Sequence, residues 1–306
     1  MIKKWAVALF CLAVTVCFCA CNGGSSADNG TSTTDAETVK VSVTFDAMKE
    51  FAEAIGGDHV TVSTIIPDGV EPHAFEPKAQ DLASLSEAQI LIYNGLGMES
   101  WIDDAISAVD NKNLITVCAS DDIDPISNEG AEAEEHGQYD PHTWLSLKCA
   151  EIEVANIKNA LVKADPGNAA DYESNYTAYI TALENLYQEY AEKFAAVEKN
   201  SFVTGHAAFG YLCRDFDLSQ NSVEDVFAEG EPSAQQLTEL VQYCKEHAVT
   251  TIFAEELAST KVSETLAKEV GAKVETIYTM AGSEDGKTYL ERMEENLSKI
   301  YASLTE

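Results

Sequence analysis

Residues 171–199 read DYESNYTAYITALENLYQEYAEKFAAVEK, with no Gly or Pro to interrupt them. Within them Tyr172, Tyr176, Tyr179, Leu183, Leu186, Tyr190, Phe194 and Val197 recur at spacings of three and four. That period predicts one long amphipathic helix with a tyrosine-rich apolar stripe. At the α-helical rise it spans about 45 Å, longer than a usual globular helix. The stripe lies on a core. A rod of this length also ties two bodies together and permits less hinge motion than extended linkers do.

Short apolar runs alternate with helical patterns on both sides of this rod. Upstream, VKVSVTF (39–45), VTVSTIIP (60–67), ILIYNGL (90–96) and LITVCA (114–119) carry strand signals. Between them DAMKEFAEAIG (46–56), AQDLASLSEA (79–88) and a stretch near 98–110 read as helices. Downstream, the strands are SFVTGH (201–206), VTTIFAEE (249–256) and KVETIYT (273–279). Helices are expected near 207–216, 233–247, 260–270 and 287–304. The alternation predicts an α/β protein of two lobes, each a mostly parallel sheet flanked by helices, joined by one long rigid helix. The expected divisions are an N-terminal lobe at 39–165, the linking helix at 166–199 and a C-terminal lobe at 200–306.

The chain ahead of residue 39 does not belong to either lobe. MIKKWAVALFCLAVTVCFCAC begins with Lys3 and Lys4 and runs apolar to Ala20, the pattern of a secretory signal over residues 1–20. NGGSSADNGTSTTDAET follows, a flexible polar tether. A small residue, then Cys21, then a tether resembles a lipoprotein processing site, so residues 21–38 are read as a lipidated Cys21 with its tether. Phe18-Cys19 departs from the Leu and small residue usual in such signals. The expected location is the outer face of the cell membrane or the periplasm.

Of 306 residues, 52 are acidic and 19 are Lys or Arg, for a net charge of −33. Such a surface repels phosphate backbones, which argues against a nucleic-acid partner. The same field attracts cations. Cys118, Cys149, Cys213 and Cys244 remain after the signal and form no CxxC, so a thiolate zinc site is not expected. Disulfide pairing and simple burial both stay open for them.

Six histidines are left to weigh. His59 in GGDHV reads as a surface turn residue, and His247 in YCKEHAV suits a helix C-terminus, where the dipole favours a cation. The other settings differ. His73 follows Glu71-Pro72 after a strand, and His142 follows Asp140-Pro141 ahead of WLSL and a helix. His206 follows Gly205 after the strand SFVT. All three fall where an α/β lobe presents its binding loops. Proline keeps Glu71 and Asp140 extended and fixes how the next histidine emerges. A carboxylate so close is placed to accept the free ring N–H of a ligating imidazole. Three neutral imidazoles suit Zn2+, with Mn2+ or Fe2+ as lesser candidates. The segment before His142 gathers acids, among them Glu132, Glu134 and Glu135, together with His136. It reads as a solvated loop that raises the local metal concentration, with His136 as a transient ligand.

The ordered set of PDGVEPHAFEP, DPHTWLSL, TGHAAFGYLCRDFDL, GEPS and FAEELASTKVSETLAKEVGAKV resembles the zinc and manganese solute-binding proteins of ABC transporters. The likeness covers about residues 39–304, and three histidines look more like the zinc branch. It implies a metal in the cleft between the lobes, held by His73, His142 and His206, and an ABC permease as the partner. The family commonly adds a carboxylate from the loop after the last strand. Here Met280 and Ala281 stand in that place, so Glu284, Asp285 or a water is the expected fourth ligand, with Glu255 and Glu256 also near. The function expected is extracytoplasmic capture of a divalent metal, foremost Zn2+, by a lipid-anchored monomer without enzymatic activity. The alternative is a zinc hydrolase using the same histidines and an activated water. Against it, the sequence carries no HExxH and no GxSxG.

Overall fold

The computed structural model of the chain describes residues 38–128, 137–227, 232–256, 260–282 and 285–306. Four strands, β1 (Val39–Val43), β2 (Val60–Thr64), β3 (Ile90–Tyr93) and β4 (Ile115–Cys118), form the first sheet in the order β2-β1-β3-β4. All its pairings are parallel, with Val41 opposite both Val62 and Ile90. The helices α1 (Asp46–Gly56), α2 (Ile102–Ala108) and α3 (Leu147–Ala164) accompany it. Parallel strands need crossovers, and the helices that make them cover the sheet's faces.

The second sheet repeats the plan. β5 (Ser201–Thr204), β6 (Ser219–Ser222), β7 (Thr251–Glu255) and β8 (Lys273–Ile277) run parallel in the order β6-β5-β7-β8. The long helix α4 (Ala169–Phe194) lies between the two sheets in sequence. After it come α5 (Gly210–Phe216), α6 (Ala234–Glu246), α7 (Lys261–Val270) and α8 (Tyr289–Thr305). α4 starts two residues before the predicted stretch and ends at Phe194, five before Lys199.

Two elements differ from the sequence reading. The segment 79–88 forms only a short 3-10 turn, Ala83–Ser86, rather than an α-helix. Its backbone bonds reach back three residues, as in Ala83 N–H to Gln80 O and Leu85 N–H to Leu82 O. A ten-residue run is too short to sustain a helix by itself, and burial of Leu85 fixes the tight turn instead. The strand β6 has no hydrophobic signal, since its sequence is SQNS. It is an edge strand, recruited by backbone pairing to β5 rather than by side-chain burial.

The stripe on α4 does what its period predicts. Tyr172, Leu183, Tyr190 and Phe194 are buried in one cluster that also holds Val41, Phe45 and Ile92 of the first lobe and Phe202, Phe253 and Ile277 of the second. Both lobes therefore share a core across the spine. α8 closes it from the other side: the Tyr289 ring meets Phe51 of α1 edge-on at 4.7 Å, and its hydroxyl donates to the Trp144 carbonyl at 2.7 Å. Arg292, only 1% exposed, donates to Asp46 of α1 at 2.6 Å and to the Gly282 carbonyl at 2.6 Å. This ion pair crosses from the last helix to the first.

Cutting one half of such a pair leaves a buried charge without compensation. Arg292→Met is expected to lower unfolding free energy by about 3–5 kcal/mol. Urea unfolding checks this, and a loss under about 1 kcal/mol would place the pair in solvent instead.

Candidate metal centre

Three loops beyond the carboxyl ends of the strands supply the histidines. His73 lies in the segment after β2, His142 just before the 3-10 turn Thr143–Leu145 that leads into α3, and His206 just after β5. Their Nε2 atoms point at one another. His142 Nε2 lies 3.0 Å from His73 Nε2 and 3.3 Å from His206 Nε2. Zinc–nitrogen bonds near 2.0–2.1 Å in a tetrahedron put ligand nitrogens about 3.3 Å apart, so these spacings match one shared ion. Among the described residues this trio is the one group of His, Cys, Asp or Glu whose ligand atoms gather this closely, all within 4.8 Å. His142 and His206 are buried and His73 is half-buried.

The acid-Pro-His triplets have a structural reason. Asp140 Oδ1 accepts from the His142 backbone N–H at 2.9 Å and pairs with its Nδ1 at 2.8 Å. Glu71 Oε1 likewise accepts from the His73 backbone N–H at 3.3 Å. Proline offers no N–H of its own. The acid therefore folds back onto the amide two residues on. The other Asp140 oxygen fits beside Gly210, where a Cβ would stand 2.8 Å from it. The Tyr211 hydroxyl fixes the Asp140 carbonyl at 2.7 Å.

His206 has no acid before it, and a distant strand supplies one. Glu255, at the end of β7, accepts from the His206 backbone N–H at 3.0 Å and stands 3.4 Å from its Nδ1. Its second oxygen occupies the space that any side chain at residue 205 would need, so Gly205 is required for this approach. The carboxylate considered above as a fourth ligand thus orients the third histidine. Glu256 is also engaged, accepting from Thr279 N–H at 2.9 Å and from its hydroxyl at 3.1 Å.

The loop after β8 serves a different purpose from the expected one. Met280 is buried with φ 59°, and its carbonyl accepts from Ala47 N–H at 3.2 Å. The Thr279 carbonyl accepts from Trp144 Nε1 at 2.7 Å. The loop is fastened to the first lobe through its backbone, and neither Met280 nor Ala281 offers a carboxylate. Asp285 is held by Lys287, through the backbone N–H at 3.1 Å and an ion pair at 3.1 Å, and is absent from the imidazole group. Glu284, the acidic-loop residues Glu132, Glu134, Glu135 and His136, and Cys21 lie outside the described residues. Cys118, Cys149, Cys213 and Cys244 are free thiols.

Burial and charge set the protonation of the cluster. Burial drives the His142 imidazole well below its usual pKa, with the neighbouring His206 adding to the effect. Burial also raises Asp140 to about 7, against the pull of the His142 N–H and the charges of His206 and Arg214. A neutral His142 then donates Nδ1–H to Asp140 and keeps the Nε2 lone pair for the cluster. For His206 burial pushes the pKa down, but the Glu255 hydrogen bond and the charges of Glu255, Glu71 and Glu224 outweigh it and leave a net rise. The arrangement offers a cation three imidazoles backed by carboxylates, and no covalent step is needed for it to bind.

Comparison with known proteins agrees with this geometry. The family model of the periplasmic zinc-uptake complex component A, ZnuA, matches residues 41–303. The chain is 46% identical over 277 residues to a protein of Treponema pallidum (strain Nichols) provisionally described as metal-binding, covering 88% of each. It is 37% identical over 319 residues to the high-affinity zinc uptake system protein ZnuA of Bacillus subtilis (strain 168), covering 99% of each. Its fold is similar to that of the laminin-binding protein of Streptococcus agalactiae, described as having adhesin and metal transporting activity. That likeness has a TM-score of 0.80 and 33% identity over 88% of this chain and 100% of that one.

A metal must displace the proton that Glu255 helps His206 retain. Zinc affinity should therefore fall as pH drops, from an onset above the usual imidazole value, by about tenfold per pH unit for one displaced proton. Glu255→Gln removes that charge, lowers the His206 pKa and moves the onset to lower pH. Competition titrations between about pH 5.5 and 8 read the onset directly, and one that stays put in the variant removes Glu255 from this account.

Proposed function

Because the chain belongs to the periplasmic zinc-uptake component A family, we propose that it captures Zn2+ outside the cytoplasm and delivers it to a membrane ABC permease. In this reading His73, His142 and His206 ligate the ion through Nε2, and Asp140 and Glu255 orient two of them. Water or Glu284 completes the tetrahedron. The observation that carries the proposal is the convergence of three imidazoles within 4.8 Å, with the two Nε2 spacings to His142 near those of ligands on one tetrahedral ion. The lobes at 39–165 and 200–306, with the linker at 166–199, would each contribute ligands, and a small shift between them would release the ion.

The hydrolase alternative lacks support. A hydrolytic site needs a general base free to take a proton from the metal-bound water. The carboxylates nearest the imidazoles are already engaged: Asp140 with His142, Glu255 with His206 and Glu71 with the His73 amide. The matching family model and the Bacillus subtilis relative are described as zinc-uptake components.

The proposal extends to the membrane. A lipid on Cys21 would hold a monomeric protein at the outer face beside its permease, although one lipid signal anchors only reversibly. Cys21→Ser should move the protein from the membrane fraction to the medium or periplasmic fraction; retention would point to another anchor.

His206→Ala tests the site itself. Zinc affinity in a chelator competition should drop by more than the roughly 10–100-fold typical of losing an outer partner. Affinity within about twofold of the unaltered protein would exclude His206 from the ligand set.

A further inference from the structure

His142 is the hub of the imidazole trio, since its Nε2 neighbours both of the others. Among the described residues just ahead of it, 137–141, there is only an isolated bridge at Tyr139 before the 3-10 turn at Thr143. Something else must hold residues 141–143 in place. Local bonds contribute, among them Thr143 N–H to the Pro141 carbonyl at 2.8 Å, and contacts from outside the loop come from Asn94, a wholly buried residue just past the end of β3. Its Nδ2 donates to the Pro141 carbonyl at 2.8 Å, and its Oδ1 accepts from the Thr143 hydroxyl at 3.1 Å. One amide therefore grips the residue before His142 and the residue after it.

An amide suits this position. The Pro141 carbonyl accepts from the Thr143 N–H within its own loop at 2.8 Å, and the Asn94 amide supplies a second donor from outside that loop. The Thr143 hydroxyl needs an acceptor at the same time. The Asn amide presents both on one planar group. Asp would keep the acceptor, lose the donor and bring a carboxylate beside the buried Glu99.

Asn94 is itself anchored. Glu99 Oε1 accepts from the Asn94 N–H at 2.9 Å, its Oε2 accepts from the Gly95 N–H at 3.0 Å, and the Thr44 hydroxyl donates to it at 2.7 Å. The Asn94 carbonyl accepts from Ser120 N–H at 3.1 Å, past the end of β4. The clamp thus rests on residues that follow three adjacent strands of one sheet: Thr44 after β1, Asn94 after β3 and Ser120 after β4.

We propose that Asn94 is a positioning residue for metal capture, transmitting the order of the first sheet to the central imidazole. This rests on His142 being a zinc ligand. Without the clamp Asp140 stays fixed by Tyr211 and keeps its bond to the His142 ring, but residues 141–143 can shift, and small misplacements are enough to weaken a tetrahedral site.

The test uses Asn94→Asp, Thr143→Val and, as a control of comparable stability loss, Leu266→Ala in the separate cluster around Val203, Leu240 and Ile252. Zinc affinity comes from chelator competition, and the d–d absorption of the Co2+-loaded protein reports ligand geometry. Asn94→Asp should weaken zinc binding roughly 10–100-fold, the range for outer partners of ligating histidines. It should also change the intensity of the cobalt bands. Thr143→Val, which removes one hydroxyl and keeps the shape, should do both to a smaller extent. Leu266→Ala should do neither. If Asn94→Asp fails to fold, Thr143→Val decides on the same two readouts. Affinity and cobalt bands indistinguishable from those of Leu266→Ala would overturn the clamp. His142→Ala separates the two layers: if it leaves zinc affinity intact, the ligand assignment fails first. If it abolishes binding while the clamp variants bind normally, only the role of Asn94 falls.

Discussion

The site depends on facing three ring nitrogens inward in a largely buried space. Ring nitrogens brought to 3.0 and 3.3 Å from the central one hold that orientation because carboxylates favour it from behind. Carboxylates do this for the two buried rings: Asp140 pairs with both the backbone N–H and Nδ1 of His142, and Glu255 accepts the His206 backbone N–H and stands 3.4 Å from its Nδ1. For His142, burial and Asp140 favour the neutral ring with a free Nε2, whereas His206 must first give up a proton; a divalent cation can then engage all three at once. Ordinary buried histidines show no such shared focus.

The two buried rings reach this state by different routes, and the contrast is informative. Asp140 is local: proline between acid and histidine removes a donor and turns the carboxylate back on its neighbour. Glu255 is remote and reaches His206 only because Gly205 leaves the volume empty. The first solution needs a tripeptide, the second a sheet. A carboxylate from β7 arrives beside β5 because the two strands are adjacent in the second sheet.

Rigidity between the lobes follows from similar economy of parts. The helix α4 contributes side chains to a core that contains residues of both sheets. The loop after β8 gives its carbonyls to Trp144 and Ala47, and Arg292 joins its Gly282 to Asp46. Thr279 is held in turn by Glu256, the residue after the one that orients His206. Supports of the second and third histidines are therefore linked through one loop, with Trp144 two residues from His142. Displacement of that loop would be felt at both.

The sequence by itself determined the α/β alternation, the spine helix, and the candidacy of His73, His142 and His206, because each leaves a local trace: a period, a proline, a position after an apolar strand. It also flagged the acids of the two triplets. It left out β6, whose SQNS residues pair only through backbone, and turned 79–88 into a helix that burial of Leu85 tightened to a single turn. Asn94 lay inside the expected strand 90–96, which ends at Tyr93 in the structure, and carried no signal of its own. Which carboxylate stands behind His206, which amide grips the loop of His142, and what the loop after β8 holds together were decided by tertiary structure alone. Those contacts join residues 47, 49 and 135 positions apart. Separation of that kind leaves no periodic or neighbouring signature, since only sheet order and packing bring such groups within hydrogen-bonding reach.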